Sequence, residues 1–600
     1  MKRLATLLLA LLACAALAAP APKVLRYAFP IAESGFDPAQ ISDVYSRVLA
    51  ANIFEAPLTY DFLARPVALR PATAVALPEV SADLRRYTFR IRPGIYFADD
   101  PAFGGKRREL VAEDYVYSVK RHYDPRWKSP NLYAFENARI LGLSELRAKA
   151  LRDKTPFDYD TPAEGLRTLD RYTFVVQLAE PAPRLALAFA DAGVAGAVAR
   201  EVIEADPDRA MAHPVGTGPF RLAEWRRSSR IVFERNPSYR EVHYEAQAAP
   251  DDPRGQAIAR RFAGRRLPMV DRVEVDIVEE SQPRLLAFLN GQHDWLERLP
   301  PEMTTKVVRG GQLSSDLQRQ GVQLERTAGV DISYTYFGMD DPVVGGYTPA
   351  KVALRRAIGL AYDVQAEIDR MRQGQAMPAQ AIVPPQMAGY DPAFKSEMSE
   401  HDLAKAQALL DLYGYTDRDG DGWREQPDGS PLLIAYAASP DQQSRILQDL
   451  WQKALNALGV RVEFRIAKWP EQLKASRAGK LMMWGLAWSA TMPDASEMLG
   501  LMYGPNKGQS NHARFDLPAF NEVFRRQAVL PDGPEREALI RDAKRLGVAY
   551  MPYKISGHRI INDLLQPWVL GYRRHPYLRG WWQYVDIDNE RQADAGTPKP

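Results

Sequence analysis

Hydrophobic and polar positions along residues 432–488 repeat with two different periods, and this segment predicts the local fold most clearly. The runs "LLIAYAA", "VRVEFRIA" and "LMMWGLAW" are short and rich in apolar, β-branched or aromatic residues, as strands are. Between the first two runs, Ser439-Pro440 predicts the start of a helix. One apolar helical face follows, made of Ile446, Leu447, Leu450, Trp451, Leu455 and Leu458. Strands that alternate with helices predict a parallel sheet with right-handed crossovers.

The end of the third run is the first candidate for a binding site. In open sheets of this kind, ligands bind at the carboxyl ends of the strands. Trp488 ends the run, and Ser489-Ala490-Thr491 follows, so we expect this stretch to form the rim of a crevice. Asp494 comes before Ala-Ser-Glu and an apolar run, which is the pattern of a capping box. Asp494 is therefore predicted to start the next helix.

Elsewhere the same two periods predict further strands and helices. Residues 24–30 and 86–97 alternate as strands, the second with a turn at Pro93-Gly94. Residues 111–124 form an amphipathic pattern with acids early and bases late, as the dipole of a helix favours. Residues 215–240 contain a Gly-Pro turn followed by two apolar runs that predict a hairpin.

Length and charge limit the classes of protein to consider. A chain of 600 residues is too long for one core and predicts two to four domains. Its 78 Lys and Arg against 75 Asp and Glu give a formal net charge of only +3. Such a balance gives no indication of nucleic-acid binding, so we expect no nucleic acid among the partners.

The beginning of the chain has the pattern of a secretory signal. Lys2 and Arg3 precede the apolar run "LATLLLALLAC", which is too short for a permanent membrane span. The small residues of "ALA" then allow cleavage after Ala18 or Ala19, so residues 1–18 are predicted to be a signal peptide and the protein periplasmic. Lipid anchoring through Cys14, the only cysteine, is the alternative to soluble release.

Catalytic and cofactor motifs are absent from the sequence. It contains no G-x-S-x-G, H-E-x-x-H, Walker or G-x-G-x-x-G pattern, and its eight histidines are not at metal-ligand spacing. We therefore expect no enzyme activity, no cofactor and no metal. An exported hydrolase and an envelope chaperone are the alternatives from other classes. Turnover of ester or peptide substrates would identify the first, and stable complexes with unfolded proteins the second.

One acidic loop resembles the start of a calcium site. Asp417, Asp419, Asp421 and Gly422 follow the D-x-D-x-D-G pattern. The twelfth position is Asp428 rather than glutamate, and no second helix follows in register. We interpret the segment as a polar hairpin turn.

Six blocks in order resemble a known family. They are "GFDPA" with "NIFEAPLTYD", "RYTFRIRPGIYFADD" with "VAEDYVYSVKR", "GTGPFRL" with "IVFERNPSYR", "ALRRAIGLAYD", "DGDG" and "WSATMPDA". Together, over about residues 24–585, they resemble the family 5 extracellular solute-binding proteins, which are the oligopeptide- and dipeptide-binding components of ABC importers.

The resemblance implies a fold and a division into domains. The fold is the two-lobed α/β periplasmic binding protein fold (type II or cluster C-like), with three domains, mixed sheets and a hinge between the lobes. The first domain would comprise 24–68, 190–332 and 549–590. The second would be 69–189 and the third 333–548.

The resemblance also implies a function. A monomer would capture a peptide or peptide-like solute in the cleft between its lobes and deliver it to an inner-membrane ABC permease. Within the same role, the ligand could instead be an oligosaccharide, haem or a metal chelate. The residues leave this choice of ligand open.

The chain departs from the family at the predicted rim. Peptide-binding members carry Trp-x-x-Asp there, and that aspartate pairs with the α-ammonium of the ligand. This chain has Trp488-Ser489-Ala490-Thr491, and threonine cannot neutralise a buried cation. Thr491 therefore predicts a ligand that is not held by its free α-amine. The alternative is that Asp494 or Glu497 has taken over the role.

The opposing rim is inferred from the resemblance alone. In relatives the loop after the first strand contributes to it, which here is the region 27–36. The resemblance therefore implies that Glu33 and Ser34 belong to the ligand site together with Trp488, Ser489 and Thr491.

Overall fold

The computed structural model of the chain describes residues 21–309 and 311–596, so the predicted signal peptide lies outside the described residues. The strands are β1 Val24–Phe29, β2 Leu58–Tyr60, β3 Leu69–Pro71, β4 Glu79–Val80, β5 Arg86–Arg90, β6 Leu166–Asp170, β7 Thr173–Gln177, β8 Phe220–Arg226, β9 Arg230–Arg235, β10 Val242–His243, β11 Arg266–Leu267, β12 Arg272–Ile277, β13 Trp295–Leu296, β14 Val308–Arg309, β15 Gln312–Leu313, β16 Gln323–Ala328, β17 Asp331–Phe337, β18 Ala376–Pro378, β19 Leu433–Ala438, β20 Arg461–Ile466, β21 Met483–Ser489, β22 Tyr553–Leu565, β23 Val569–Leu570 and β24 Asp586–Ile587.

Helices cover the faces and ends of these strands. The α-helices are α1 Val44–Ile53, α2 Ala112–Tyr123, α3 Leu132–Glu136, α4 Leu143–Asp153, α5 Leu185–Ala188, α6 Ala192–Ala195, α7 Arg200–Ala205, α8 Pro253–Phe262, α9 Ser281–Leu289, α10 Pro301–Val307, α11 Ser315–Arg319, α12 Pro349–Ala361, α13 Val364–Met371, α14 Leu403–Leu412, α15 Gln442–Ala457, α16 Trp469–Arg477, α17 Ala495–Leu499, α18 Pro518–Val529, α19 Pro534–Tyr550 and α20 Asn589–Gly596. Single 3-10 turns lie at Pro101–Phe103, Pro125–Trp127, Pro207–Arg209, Glu397–Ser399, Gly500–Met502, Gly504–Asn506 and Trp582–Tyr584. Within the described residues, no helix is long and apolar enough to cross a membrane.

A mixed sheet of 12 strands runs through the molecule. Its order is β20-β19-β21-β17-β22-β13-β1-β12-β9-β8, with β16 and β18 also paired to β22. A separate sheet of four strands has the order β4-β5-β7-β6 and lies within residues 79–177. The architecture is therefore α/β with a large mixed sheet.

The long strand β22 connects the two halves of this sheet. Its first residues pair with β17, and its last residues pair with β16 and β13. On one side lie β17, β21, β19 and β20, and on the other lie β13, β1, β12, β9 and β8. Asp331, the first residue of β17, forms an ion pair of 2.9 Å with Arg559 of β22 where the chain passes between the halves. The hinge that the family resemblance implies would lie at this crossing.

Several sequence predictions are confirmed. β19 is parallel to both β20 and β21, as the alternation of strands and helices predicts. The hairpin within residues 215–240 is β8 and β9. The helix predicted over 111–124 is α2, with Glu113 and Asp114 in its first turn and basic residues in its last.

Two local predictions are wrong. Helix α15 begins after Asp441 rather than after Ser439, because the Asp441 carboxylate accepts the Ser444 amide at 2.8 Å. Pro440 therefore lies before the helix. The strand predicted over 86–97 ends at Arg90, and beyond the turn only an isolated bridge between Tyr96 and Glu109 forms.

The domain boundaries stay a prediction, and the strands bear on them in two ways. The four-stranded sheet lies inside the proposed second domain, 69–189. β2 and β3, however, pair with each other across the proposed boundary at residue 68. A division after this hairpin would keep the pair in one unit.

Candidate functional site

The carboxyl end of β21 lies where the sequence pattern predicts it. Ser489 is the last residue of the strand and pairs with Asp331, while Trp488 pairs with Ile332. The Ala490 amide extends the pairing by donating to the Val330 carbonyl at 2.8 Å. Backbone pairing thus fixes the chain up to residue 490, one position before Thr491.

Trp488 and Ser489 differ in their contacts. The Trp488 side chain is half-buried, and its ring centroid lies 6.3 Å from that of His512 in an edge-to-face arrangement. Its enclosed indole N–H has no hydrogen-bond partner among the described residues. The Ser489 hydroxyl accepts a hydrogen bond of 3.4 Å from the Arg559 guanidinium. That these two residues contact a ligand stays a prediction.

Thr491 is bonded to Glu497. Its backbone amide donates to both carboxylate oxygens of Glu497, at 2.9 and 2.8 Å, and its hydroxyl donates at 2.9 Å. The Met492 amide adds a further bond of 2.9 Å. The carboxylate of Glu497 therefore lies at the end of β21, although its Cα belongs to α17.

Asp494 starts α17, as the sequence predicts, but the capping box is only half formed. The Asp494 carboxylate accepts the Ser496 amide at 2.9 Å, whereas Glu497 bonds to residues 491 and 492 instead of to the Asp494 amide. Asp494 is buried and also accepts two hydrogen bonds from Arg536, at 2.7 and 2.8 Å. Its charge is thus already compensated, which leaves Glu497 as the acid available at this rim.

Glu497 is half-buried and forms no ion pair with any residue that the structure describes. Burial raises the pKa of its carboxyl group, while the amides of Met492 and Thr491, the Thr491 hydroxyl and the charge of Arg47 lower that pKa in part. A carboxylate offers about four lone-pair directions, and four hydrogen bonds, two on each oxygen, occupy them. The Thr491 amide is shared between both oxygens, so a ligand ammonium would compete with it for one of these directions.

Residues from the other half of the molecule lie within electrostatic range of Glu497. Arg47 of α1 forms an ion pair of 3.1 Å with Asp191 and donates to Asn131 at 2.6 Å. Tyr133 of α3 has its pKa raised by burial and by the charge of Glu497, and a hydrogen bond with Thr491 lowers that pKa in part. Residues from both halves therefore converge on the Thr491–Glu497 pair.

Tyr60 and Tyr577 lie close to the same acid. Tyr60 is only 2% exposed, and its hydroxyl has no hydrogen-bond partner among the described residues. Burial raises the pKa of Tyr60 well above its ordinary value, Asp191, Tyr577 and Glu497 raise it further, and Arg579 lowers it. Burial likewise raises the pKa of Tyr577, to which Glu497 and Arg579 contribute with opposite signs.

The group formed by Glu497, Thr491, Arg47, Asp191, Tyr60, Tyr133, Tyr577 and Arg579 is called the interlobe cluster below. The sequence pattern pointed only to Thr491 and, as an alternative, to Glu497. Arg47, Asp191 and the tyrosines carry no motif, because they come from separate parts of the chain that only the tertiary fold brings together. The "Asp-Ala-Ser-Glu" pattern was the one local signal for Glu497.

Glu33 and Ser34 are bonded within their own half. Glu33 is 7% exposed and accepts hydrogen bonds from the Trp225 indole at 2.5 Å and the Ser228 amide at 3.3 Å. The Ser34 hydroxyl donates to Asp43, the residue that caps α1, at 2.7 Å. In the described structure neither hydrogen-bonds to Trp488, Ser489 or Thr491. Their part in ligand binding stays a prediction.

Two cavities lie next to these elements. One, of about 330 Å³, is lined by Asp191, Tyr577 and Arg579 of the interlobe cluster and by the Glu55–Arg240 ion pair. The other, of about 320 Å³, lies at the carboxyl end of β19 and along residues 484–487 of β21, and its lining includes Ser439, Trp469 and Trp484 but not Trp488. Both volumes are at the lower end of the range that small-molecule sites occupy.

The acidic loop 417–425 forms a turn. One carboxylate oxygen from each of Asp417, Asp419, Asp421 and Glu425 lies within 4.8 Å of the others, and the first three residues are exposed. Asp417 accepts the amides of Gly420 and Gly422 at 2.8 and 2.9 Å, so the acids stabilise their own loop. This geometry agrees with the interpretation as a polar turn.

Comparison with known sequences gives the class of the protein. Residues 68–510 match the sequence model of the bacterial extracellular solute-binding proteins, family 5 Middle. The match covers well over half of the chain, so the chain belongs to this family. Its members are binding proteins that act outside the cytoplasm, and they are not enzymes.

The individual relatives share only a modest part of their sequence with this chain. Di/tripeptide-binding protein 2 of Pseudomonas aeruginosa is 26% identical over 604 residues, which is 98% of this chain and 99% of that protein. Haem-binding protein A of Haemophilus influenzae is 23% identical over 527 residues, or 87% of this chain and 85% of that protein.

A solved structure confirms the predicted fold class. The periplasmic binding protein from Helicobacter pylori, in complex with the peptide STSA, superposes with a TM-score of 0.71 at 20% identity. The superposition covers 94% of this chain and 98% of that one.

Proposed function

We propose that the protein is the periplasmic solute-binding component of an ABC importer and that it captures short peptides as a monomer. Membership of the solute-binding family supports the binding role. The relative from Pseudomonas aeruginosa is named for di- and tripeptides, which supports the class of ligand. Captured peptide would be delivered to an inner-membrane permease, and no chemical step is required of the protein.

The position of Glu497 carries the proposal. Its carboxylate lies at the end of β21, where the family resemblance implies an acid, and it forms no ion pair with any described residue. A peptide ammonium placed there would gain a charge-assisted hydrogen bond, which contributes about 1.5–3 kcal/mol. This arrangement favours the alternative in which Glu497, rather than an aspartate at position 491, reads the free α-amine.

Thr491 then has a supporting role. Its hydroxyl and amide hold the carboxylate of Glu497 in one orientation through bonds of 2.8–2.9 Å. A carboxylate that is already oriented loses less side-chain freedom when the ligand binds. Threonine at this position is therefore compatible with recognition of a free amine.

The test is a binding screen by thermal shift and calorimetry. Di- and tripeptides with free amines should stabilise the protein, and their N-acetylated forms should bind at least tenfold more weakly. Glu497→Gln should remove this discrimination, because the neutral amide cannot compensate the ammonium. Glu471→Gln, an exposed acid of α16 in the same half, is the matched control and should bind as the wild type does.

Two outcomes would contradict the proposal. If free and acetylated peptides bind equally well, the ligand is not held by its amine. If no peptide binds but haemin or an oligosaccharide does, the class of ligand is wrong, and the haem-binding relative makes haemin a necessary part of the screen. Mass spectrometry of protein purified from its own periplasm would identify any co-purified molecule directly.

A further inference from the structure

The cavity of about 320 Å³ at the carboxyl end of β19 has a half-exposed tryptophan in its lining. This residue is Trp469, the first residue of α16, and 51% of its surface is exposed. Tryptophan is highly buried on average in folded proteins. The exposed ring of Trp469 therefore offers apolar surface to a group that enters the cavity.

A second tryptophan packs against Trp469. The ring centroids of Trp469 and Trp484 lie 5.0 Å apart with an angle of 48° between the planes, a separation that is typical of aromatic pairs. Trp484 belongs to β21 and is only 2% exposed. One ring of the pair is thus fixed in the core, and the other is left partly uncovered at the cavity. A further ring that packs on Trp469 would extend this pair.

The floor of the cavity is formed by β21 where it continues beyond its pairing with β19. β19 pairs with Met483 and Trp484, and residues 485–487 beyond them line the cavity. A Cβ atom at Gly485 would lie only 2.6 Å from the Tyr436 hydroxyl oxygen, so the packing at the floor is close. Aliphatic and thioether side chains add to the apolar lining, namely Met371, Leu447 and Leu486.

The charged residues of the lining already bond within the protein. They are Glu367, Arg372, Asp441 and Arg559. Glu367 accepts hydrogen bonds from the hydroxyls of Tyr362 and Ser556 at 2.8 and 2.9 Å, and Arg559 pairs with Asp331 at 2.9 Å. Arg372 donates to the Ser333 hydroxyl at 3.1 Å, and Asp441 caps α15. The apolar part of the lining is therefore the part that a ligand would complement.

The cavity lies next to the predicted rim. Arg559 lines it and also donates to the Ser489 hydroxyl at 3.4 Å. Ala487, the lining residue nearest in sequence to Thr491, precedes it by four residues, which corresponds to about 13 Å along an extended chain. A solute with its ammonium at Glu497 would therefore reach the cavity with the side chain of its third or a later residue, and not with that of its first.

We infer that this cavity is a side-chain subsite that selects an aromatic residue of the solute, and that Trp469 determines this specificity by packing on the aromatic ring. The inference rests on the proposed peptide-binding function and narrows the class of ligand to peptides of three or more residues with an aromatic side chain after the second position. Aromatic pairs gain free energy beyond that of area burial, so such a side chain should be preferred over leucine by about two- to tenfold.

The test measures the affinities of tri- and tetrapeptides by calorimetry. Each peptide has alanine at every position except one, which carries phenylalanine, tryptophan, leucine, lysine or aspartate. Wild-type protein should bind peptides with an aromatic residue at the third or fourth position at least tenfold more tightly than the all-alanine peptide. The same residue at the first position should give no such gain.

Two variants of Trp469 test the role of its ring. Trp469→Ala should remove the preference for aromatic residues over leucine. Trp469→Leu should remove it as well, but should retain more of the affinity for leucine peptides because it keeps an apolar side chain. Both variants should fold, since the ring is half-exposed. The control Leu412→Ala changes a residue at the end of α14 that is 75% exposed, and it should bind as the wild type does.

Three results would overturn the inference. They are equal affinities of the wild type for aromatic and leucine peptides, an aromatic preference that persists in both Trp469 variants, and tightest binding of the aspartate peptides, which would assign the selection to Arg372. The proposed function would survive each of them if N-acetylation still weakened binding. Failure of every peptide to bind would instead overturn the proposed function itself.

Discussion

The Glu497 carboxylate accepts hydrogen bonds from both the backbone amide and the hydroxyl of Thr491. The hydroxyl lies 2.9 Å from Oε1, and the amide lies 2.9 and 2.8 Å from the two oxygens. Threonine at position 491 and glutamate at position 497 thus form one unit, in which a neutral donor orients an acid. Under the proposed function, this relationship would let the rim lack an aspartate at position 491 and still present a negative charge to a ligand.

Thr491→Asp restores the residue that the family resemblance implies, and we expect this variant to bind free-amine peptides more weakly. The new carboxylate would lie within hydrogen-bond distance of Glu497, and two carboxylates this close cannot both stay ionised without a large shift of pKa. Affinity for free-amine peptides should fall at neutral pH, and calorimetry would measure the loss. A gain in affinity would show that position 491, rather than Glu497, is the site of the ammonium.

Thr491→Val is the milder companion variant. It removes one hydroxyl donor and keeps the backbone donors to Glu497, so the loss should correspond to one hydrogen bond, about 0.5–1.5 kcal/mol. Affinity should therefore fall by about two- to twelvefold. The melting temperature should change little, because the side chain keeps its volume.

Affinity should also depend on pH through Glu497. Burial raises the pKa of this carboxyl group above its ordinary value of 4.5, so it takes up a proton at a higher pH than an exposed glutamate does. Affinity for free-amine peptides should then decrease as the pH falls through this raised pKa, and Glu497→Gln should lack this dependence. The folding stability of the ligand-free protein should have the opposite pH dependence. An acid with a raised pKa in the folded state stabilises that state as the pH falls. Calorimetry at a series of pH values would separate the two effects.

Local pattern predicts part of this architecture, and long-range packing decides the rest. The parallel arrangement of β19, β20 and β21 follows from alternating strands and helices, and so does the position of Trp488 at a strand end. The start of α15 does not, because Ser439 and Asp441 both suit a helix start and only the observed bond to Ser444 distinguishes them. No local signal could connect Tyr133 with Thr491 and Glu497, since these residues are distant in sequence and come together only through the fold.

Asp494 should matter for stability and not for binding. It is buried with Arg536, and removing one partner of a buried ion pair costs about 3–5 kcal/mol. Asp494→Ala should therefore lower the free energy of unfolding in urea by about this amount. Asp441→Ala removes an exposed cap that forms no ion pair with the described residues, and should cost only about 1 kcal/mol. Loss of peptide binding by Asp494→Ala with unchanged stability would assign Asp494 to the ligand site instead.

Trp488, in contrast, should matter more for peptide binding than for stability. Its side chain is only half-buried, so Trp488→Ala should cost less stability than the about 3–5 kcal/mol of a fully buried tryptophan. Trp451, which is 1% exposed and stacks on Tyr362 at 4.0 Å, provides the fully buried comparison. Peptide affinity should fall at least tenfold in Trp488→Ala, as expected for an aromatic at a binding rim. A large loss of stability with normal affinity would place Trp488 in the core.

Arg184 hydrogen-bonds to residues 527–530, which belong to the same proposed third domain as the rim residues 488–491. It donates to the carbonyl oxygens of Gln527, Ala528 and Leu530 at 3.1, 3.1 and 2.6 Å, and it lies 3.2 Å from Asp532. In the proposed division Arg184 belongs to the second domain and its partners to the third. On this division, opening a cleft between the second and third domains would break these bonds, so we expect them to stabilise the closed arrangement.

Arg184→Gln should shift the equilibrium towards the open form. A shift of this kind lowers apparent affinity by the fraction of closed molecules that is lost. Because hydrogen bonds to charged groups contribute about 1.5–3 kcal/mol, peptide dissociation should accelerate by about tenfold or more. Small-angle scattering should show a larger radius of gyration for the ligand-free variant, and saturating peptide should compact both proteins. Arg139→Gln, which breaks an exposed pair of 2.6 Å with Glu180 inside the second domain, should change neither quantity. Equal dissociation rates in wild type and Arg184→Gln would mean that this contact does not control closure.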